Sequence, residues 1–184
     1  MDILAYSDVP ASFHDYKRED LDLILYLGDL TISDLPSWSI PIVGVYGNHD
    51  PLNPKFLDED PELHNAHLEI VNIKGVNILG YEGALKYKPS GPRLWTEQDA
   101  RRDLEPFLDK HIDIFITHSP PLSFGLNDEI HNGSHALEEF ILKNQPKYHF
   151  CGHTHKSQSL TIGKTKAFNI LGLERYKLHD FDQS

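Results

Sequence analysis

At 184 residues, with 39% hydrophobic and 24% charged side chains, the chain has the length and composition of a single globular domain spanning 1–184. Its 17 Lys+Arg against 28 Asp+Glu leave a formal net charge of -11, which disfavours long nucleic acid and anionic membrane faces and favours multivalent cations. The one cysteine, Cys151, excludes an intrachain disulfide framework and a cysteine-based zinc cluster, so a reducing cytoplasm is the expected compartment.

Ile3 to Tyr6 reads as a short buried strand ending at Ser7-Asp8, before Pro10 breaks any regular continuation. This opening has no basic n-region or apolar segment long enough for a signal peptide, and no apolar run approaches a membrane span. Leu21 to Leu27 reads as a second strand closing with Gly28-Asp29, and Ile40 to Tyr46 as a third closing with Gly47-Asn48-His49-Asp50. Pro51 to Glu62 reads as loop, and Leu68 to Ile73 and Val76 to Tyr81 flank Lys74-Gly75 as a hairpin. After a Gly/Pro-punctuated loop from Gly83 to Pro92, Thr96-Glu97-Gln98-Asp99 has the pattern of a capped helix start, running on through Leu104, Phe107 and Leu108. Ile112 to Ile116 is a buried strand ending in Thr117-His118. Following a loop from Ser119 to Asn132, residues Ala136, Leu137, Phe140 and Ile141 recur at helical spacing and stop before Pro146. Tyr148 to Cys151 is a short strand running into Gly152-His153-Thr154-His155, and the remainder reads as two closing strands around Gly163-Lys164 with a polar tail.

Five apolar strands thus terminate in chemistry-bearing residues: Asp8; Asp29; Asn48, His49 and Asp50; His118; His153 and His155. Such groups are poor core material, because each has to be desolvated and satisfied. At the carboxyl ends of strands, where α/β sheets gather their ligands, they make good site material. Carboxylates, an amide oxygen and imidazoles without thiolates suit hard to borderline divalent cations such as manganese, iron, zinc or nickel. His153 and His155 project to the same side of an extended backbone, which serves either two adjacent ions or one shared cluster. Two other chemistries lack support. Ser119 beside His118 has no Gly-x-Ser-x-Gly context, and Gly163-Lys164-Thr165 lacks the upstream Gly of a phosphate loop and reads as a hairpin turn.

The ordered set Asp8, Gly28-Asp29, Gly47-Asn48-His49-Asp50, His118 and Gly152-His153-Thr154-His155 resembles the calcineurin-like metallophosphoesterase superfamily over nearly the whole chain. The resemblance implies an α/β fold, a sandwich of two mixed β-sheets flanked by helices in four α-β-β-α layers, with a dinuclear metal centre at the sheet ends. It implies that Asp29 bridges both ions, that Asn48, His118 and His153 complete the second ion's shell, and that Asp8 and His155 hold the first. His49 would face the substrate, with Asp50 orienting its imidazole. The first motif departs from the family's usual Asp-x-His: here it is Asp8-Val9-Pro10, and proline has no side-chain donor. Water filling the vacancy is the expected outcome, and the alternatives are His14, the nearest imidazole, as replacement ligand, or an empty first site.

The implied activity is phosphoester hydrolysis by a metal-activated hydroxide between two divalent ions, with His49 at the leaving oxygen. Manganese is the expected metal, with iron, zinc, nickel or magnesium as alternatives. The loops Gly83 to Arg93 and Ser119 to His135 would wall the pocket, which makes Arg93, Asn127, Asp128 and His131 candidates for substrate contact. A chain without a large cap insertion suits a small phosphoester, a diester ahead of a monoester; the acidic balance sets nuclease action further back. A homo-oligomer is common for domains of this kind. The competing reading is a metal-poor scaffold that keeps the fold for interactions, against which the retained ligand set and His49 weigh. His64, His67, His111, His135, His149 and His179 have no motif context and read as surface or locally satisfied residues, and Cys151 as a packed one.

Overall fold

The apolar runs of the sequence become the inner strands of two mixed sheets. A computed structural model describes residues 1–9, 18–29, 40–50, 63–126 and 128–181. Along the chain the strands are β1 (Asp2–Ser7), β2 (Leu23–Tyr26), β3 (Ile42–Gly44), β4 (Leu63–Asn65), β5 (Ile70–Ile73), β6 (Val76–Tyr81), β7 (Ala84–Leu85), β8 (Leu94–Trp95), β9 (Ile114–Thr117), β10 (Tyr148–Cys151), β11 (Gln158–Ile162), β12 (Thr165–Asn169) and β13 (Gly172–Lys177). Two described α-helices, α1 (Glu97–Leu104) and α2 (His135–Asn144), lie between β8 and β10.

One sheet has the order β13-β1-β2-β3-β4 and the other β11-β12-β10-β9-β6-β5. In each, the central strands are parallel; β13 is antiparallel to β1, β11 to β12 and β5 to β6, while β4 closes the other edge of the first sheet parallel to β3. Parallel strands need both faces covered, which is why their sequences read as continuous apolar runs rather than alternating ones. The two sheets bury their inner faces on each other, with Ile3, Leu25 and Val43 from one meeting Ile78, Ile116 and Phe150 from the other in a single cluster. The second sheet's outer face, with Leu79, Phe115 and Ala167, packs on Ala100 and Leu104 of α1 and Leu137, Phe140 and Ile141 of α2. The expected two-sheet α/β sandwich is therefore present. Residues 10–17, 30–39 and 51–62, which follow β1, β2 and β3 and where helices over the first sheet's outer face would be sought, lie outside the described residues.

Three local differences from the sequence reading have physical causes. The expected polar tail is β13, which pairs with β1 from Asp2↔Lys177 to Ser7↔Gly172. Gly-Leu-Glu-Arg-Tyr-Lys is an edge strand with partly exposed faces, so it lacks the apolar run that marked the others. The helix expected to run through Leu108 stops at Leu104 and gives way to a 3-10 turn, Glu105–Phe107, because Pro106 has no N–H to continue the ladder. Its start is as expected, with Thr96 and Asp99 exchanging hydrogen bonds in a capping box.

The third difference is His149, expected at the surface or locally satisfied, which lies fully buried on β10 and is satisfied at one nitrogen only. Its Nδ1 donates to the Phe115 carbonyl at 3.0 Å, while Nε2 is buried with no hydrogen-bond partner. Burial pushes the imidazole down to about 3, against the smaller upward pull of that carbonyl. The unfolded chain takes up this proton near pH 6.5, and the folded chain refuses it until about 3. Stability from this residue is therefore complete above pH 6.5 and falls as the pH drops through that window, by about 2 kcal/mol at pH 5. Urea denaturation of wild type and His149→Leu at pH 7.5 and pH 5 checks this. Wild-type stability should fall by about 2 kcal/mol more than that of the variant; an equal acid loss in both would contradict it.

Candidate metal centre

The parallel strands β1, β2, β3, β9 and β10 end at one edge of the sandwich, and their terminal residues meet across the two sheets. The chain turns sharply there. Asp8, Asp29, His153 and His155 have φ of 63, 59, 71 and 53°, so four of the eight described non-glycine residues with positive φ are predicted ligands. Left-handed backbone at such residues is costly and persists where the surroundings over-determine it, as they do around functional sites.

Asp29 follows Gly28 at the end of β2. Its Oδ1 accepts the His49 N–H at 2.7 Å, and its Oδ2 lies 3.1 Å from His118 Nε2. His118 Nδ1 donates to the Leu27 carbonyl at 2.7 Å, which leaves Nε2 facing the carboxylate. His153 is held in the same manner: its Nε2 donates to the Ile130 carbonyl at 3.0 Å, and Nδ1 points at His118 Nε2, 3.2 Å away. Ligand atoms of Asp29, His118 and His153 thus all lie within 4.8 Å of one another. Imidazoles whose far nitrogen is tied to a carbonyl are oriented as metal-ligating histidines are.

The charges of the cluster agree with this geometry. Burial pulls the His118 imidazole down, but the Asp29 carboxylate, as charge and as acceptor, outweighs it and lifts the group to about 9. Burial pushes Asp29 up, and the His118 charge with the hydrogen bonds from His118 and His49 brings it to about 2. His153 is held down at about 3 by burial and by the His118 charge beside it. Without a cation, the ionised Asp29 carboxylate is thus paired with a protonated His118.

Two further oxygens test the fit. Asn48, 4% exposed, donates from Nδ2 to the Tyr87 hydroxyl at 3.3 Å, while its Oδ1 is buried without a partner. Asp8 accepts from the Ser7 hydroxyl at 2.6 Å and the His153 N–H at 2.9 Å on Oδ2, and its Oδ1 is buried and unpartnered. Buried oxygens of this kind cost free energy unless something satisfies them. With a carboxylate and imidazole lone pairs alongside, the residues present fit a hard to borderline divalent cation.

The structure separates the other candidates. Asp50, expected to orient the His49 ring, instead accepts from Gly47 N–H at 2.7 Å, Asp29 N–H at 3.0 Å and the Tyr26 hydroxyl at 2.9 Å. It pins the backbone that carries Asp29, and it makes no hydrogen bond to His49, whose side chain is exposed. Arg93, expected at the substrate, lies back on the protein: Nη1 donates to the Asp50 carbonyl at 3.0 Å, and the guanidinium stacks over Tyr46 at 5.0 Å. It braces the Asn48–Asp50 turn from behind. Asp128 folds its carboxylate onto the Ile130 and His131 N–H groups and onto His131 Nδ1. The His131 ring then lies 5.2 Å from that of His153 and 5.5 Å from that of His155. His155 itself is exposed and stands apart from the tight cluster. Pro10, His14 and Asn127 lie outside the described residues. Tyr87, which the sequence reading did not single out, had as its only signal an aromatic hydroxyl in a loop expected to wall the pocket.

The calcineurin-like phosphoesterase profile matches residues 4–157, a span that includes every strand end described above. No curated protein matches the chain at a significant level. Among solved structures, one superposes with a TM-score of 0.71 at 14% identity, over 95% of this chain and 93% of that one. TT1561 of Thermus thermophilus superposes with a TM-score of 0.68 at 19% identity, over 93% and 89%. GAP50, the anchor in the inner membrane complex of Plasmodium, does so at 0.52 and 11% identity, over 92% and 70%. At these identities the likeness is one of fold. Among the described residues no helix is long and apolar enough to cross a membrane.

Proposed function

The chain belongs to the calcineurin-like phosphoesterase family and is a metal-dependent phosphoester hydrolase, and on that premise we propose that it is a phosphodiesterase with a dinuclear centre. The observation that carries the reading is the convergence of Asp29, His118 and His153, each imidazole held by a backbone carbonyl on its far side. Asp29, Asn48, His118 and His153 would hold one ion, and Asp8 and His155 would hold the other together with Asp29. Bound divalent cations supply charge for the phosphoryl oxygens and bring the pKa of water down towards about 7.

The remaining roles belong to the chain's own groups. His49 is exposed while its N–H is tied to Asp29 Oδ1, so its ring stands at the mouth of the site and serves the leaving oxygen as a proton donor. Tyr87 holds the Asn48 amide so that Oδ1, not Nδ2, is offered inward. Asp50 and Arg93 fix the turn from which both project. A formal net charge of -11 repels a dianionic monoester more than a monoanionic diester, which favours the diester. The expected substrate is a small phosphoester, the expected metal manganese, and the expected setting a reducing cytoplasm.

Metal analysis coupled to a substrate panel tests this. The manganese-loaded protein should hold about two ions per chain and hydrolyse an aryl phosphodiester faster than the matching monoester. Failure to take up manganese would favour the scaffold reading, and a monoester preference would make the enzyme a phosphatase.

A further inference from the structure

Four imidazoles run in file from the buried floor of the centre to its exposed side. The His118 and His153 rings are 5.0 Å apart, His153 and His131 5.2 Å, and His131 and His155 5.5 Å. The file is anchored by carboxylates at two places: Asp29 on His118 and Asp128 on His131. His131 is expected from the sequence only as a substrate contact, yet like His118 it has a carboxylate against its ring. Its Nδ1 lies 3.0 Å from Asp128 Oδ2 and 3.1 Å from Oδ1, and the same carboxylate takes its backbone N–H at 2.6 Å. That double hold fixes the ring and commits Nδ1, leaving Nε2 as the free nitrogen. A carboxylate behind an imidazole is the usual support of a metal-ligating histidine.

On the far side of the ring is His155, exposed and with no hydrogen bond among the described residues. Asp8 Oδ1 is buried without a partner, on the carboxylate that also accepts the N–H of His153, two residues before His155. The side of the centre that loses a donor to Pro10 thus holds an unsatisfied carboxylate oxygen, an uncommitted imidazole, and a second imidazole held by Asp128. The Ile130 carbonyl couples the two halves, because the residue that receives the His153 Nε2–H immediately precedes His131.

We propose that His131, held by Asp128, is a ligand of the first ion together with Asp8 and His155, in place of the imidazole that the Asp8-Val9-Pro10 motif cannot supply. This rests on the dinuclear reading above and deepens it. His131 acts on the metal and Asp128 is a positioning residue acting through it, so the two variants differ in degree rather than in kind. A loop after β9, rather than the turn after β1, then completes the centre.

Manganese titration by calorimetry and by electron paramagnetic resonance, which reads spin coupling between paired ions, tests this without reference to turnover. Wild type should show a tighter and a weaker binding step. His131→Ala should weaken the second step by about 10- to 100-fold and remove the spin-coupled signal, and Asp128→Asn should give a smaller loss in the same step. In both variants the tighter step, assigned to Asp29, Asn48, His118 and His153, should be unchanged. Two unaltered steps in His131→Ala would overturn the proposal. So would loss of the weaker step in His14→Ala alone, which would give the position to His14. A wild type that takes up one ion only would overturn it while leaving single-ion hydrolysis standing; no uptake at all would instead overturn the reading on which it rests.

Discussion

Replacing Asp29 by Ala is expected to lower kcat/KM for an activated aryl phosphodiester in manganese by at least about a thousandfold, the several kcal/mol that a metal ion contributes to a phosphoryl transition state. Asp29 is the only carboxylate in the tight cluster with His118 and His153 among the described residues, and its two oxygens have different duties. Oδ1 receives the His49 N–H and so positions the turn that carries the leaving-group imidazole, while Oδ2 faces His118 Nε2. Truncation therefore removes the anionic donor and loosens His49 in one step. His118→Ala should act as strongly, since its ring fills a fully buried position between Asp29 and His153. Asp29→Asn separates charge from shape, because it keeps an oxygen for the His49 N–H and loses the negative charge. A rate near that of Asp29→Ala would assign the effect to charge. Circular dichroism and metal content accompany each rate. Wild-type turnover in Asp29→Ala and His118→Ala at equal metal content would contradict the assignment.

What was legible in the sequence follows from where each residue sits. Asp8, Asp29, Asn48, His118 and His153 each end an apolar run, and parallel strands of one sandwich bring their carboxyl ends to one edge, so strand order alone collects them. The roles that misread are those set by side-chain direction. An Asp following His in a turn serves equally well to hold the ring or the backbone, and Asp50 holds the backbone because Gly47 and Asp29 turn their N–H groups onto it and Tyr26 reaches it from β2. Arg93 looked available because its loop adjoins the site, but the ring of Tyr46 and the Asp50 carbonyl hold it inside. His131 is marked in the sequence only by its loop, which makes it a candidate substrate contact and says nothing of where its ring lies. The ring's place depends on Asp128 accepting the N–H three residues on, a local hydrogen-bonding event with no periodicity to read. The same limit hid β13, whose burial comes from its partner β1 rather than from its own composition.

Gly28→Ala is the substitution with the largest expected effect on folding. A Cβ placed there would lie 2.3 Å from the Gly47 nitrogen, 2.7 Å from its Cα and 2.9 Å from His118 Nδ1, so two of the three obstacles are backbone and cannot turn aside. Gly28 also has φ +92°, a conformation that L side chains rarely adopt. The strained backbone costs about 1–2 kcal/mol, and forcing apart a packed contact about 1–3 kcal/mol more. For a domain of this size the sum lowers Tm by roughly 6 to 15 °C. Gly75 separates the two terms: it has φ +86° in the β5–β6 turn, but nothing lies within 4 Å of its Cβ position, so Gly75→Ala should lose only the smaller, conformational part. The two variants also differ in function. Displacing Gly47 moves the N–H that Asp50 accepts, and with it the Asp29 and His49 backbone, so Gly28→Ala should lose manganese affinity while Gly75→Ala keeps it. Thermal melts with and without manganese read both quantities. Equal Tm losses in the two variants would mean that close approach of the β2 and β3 ends does not hold this centre together.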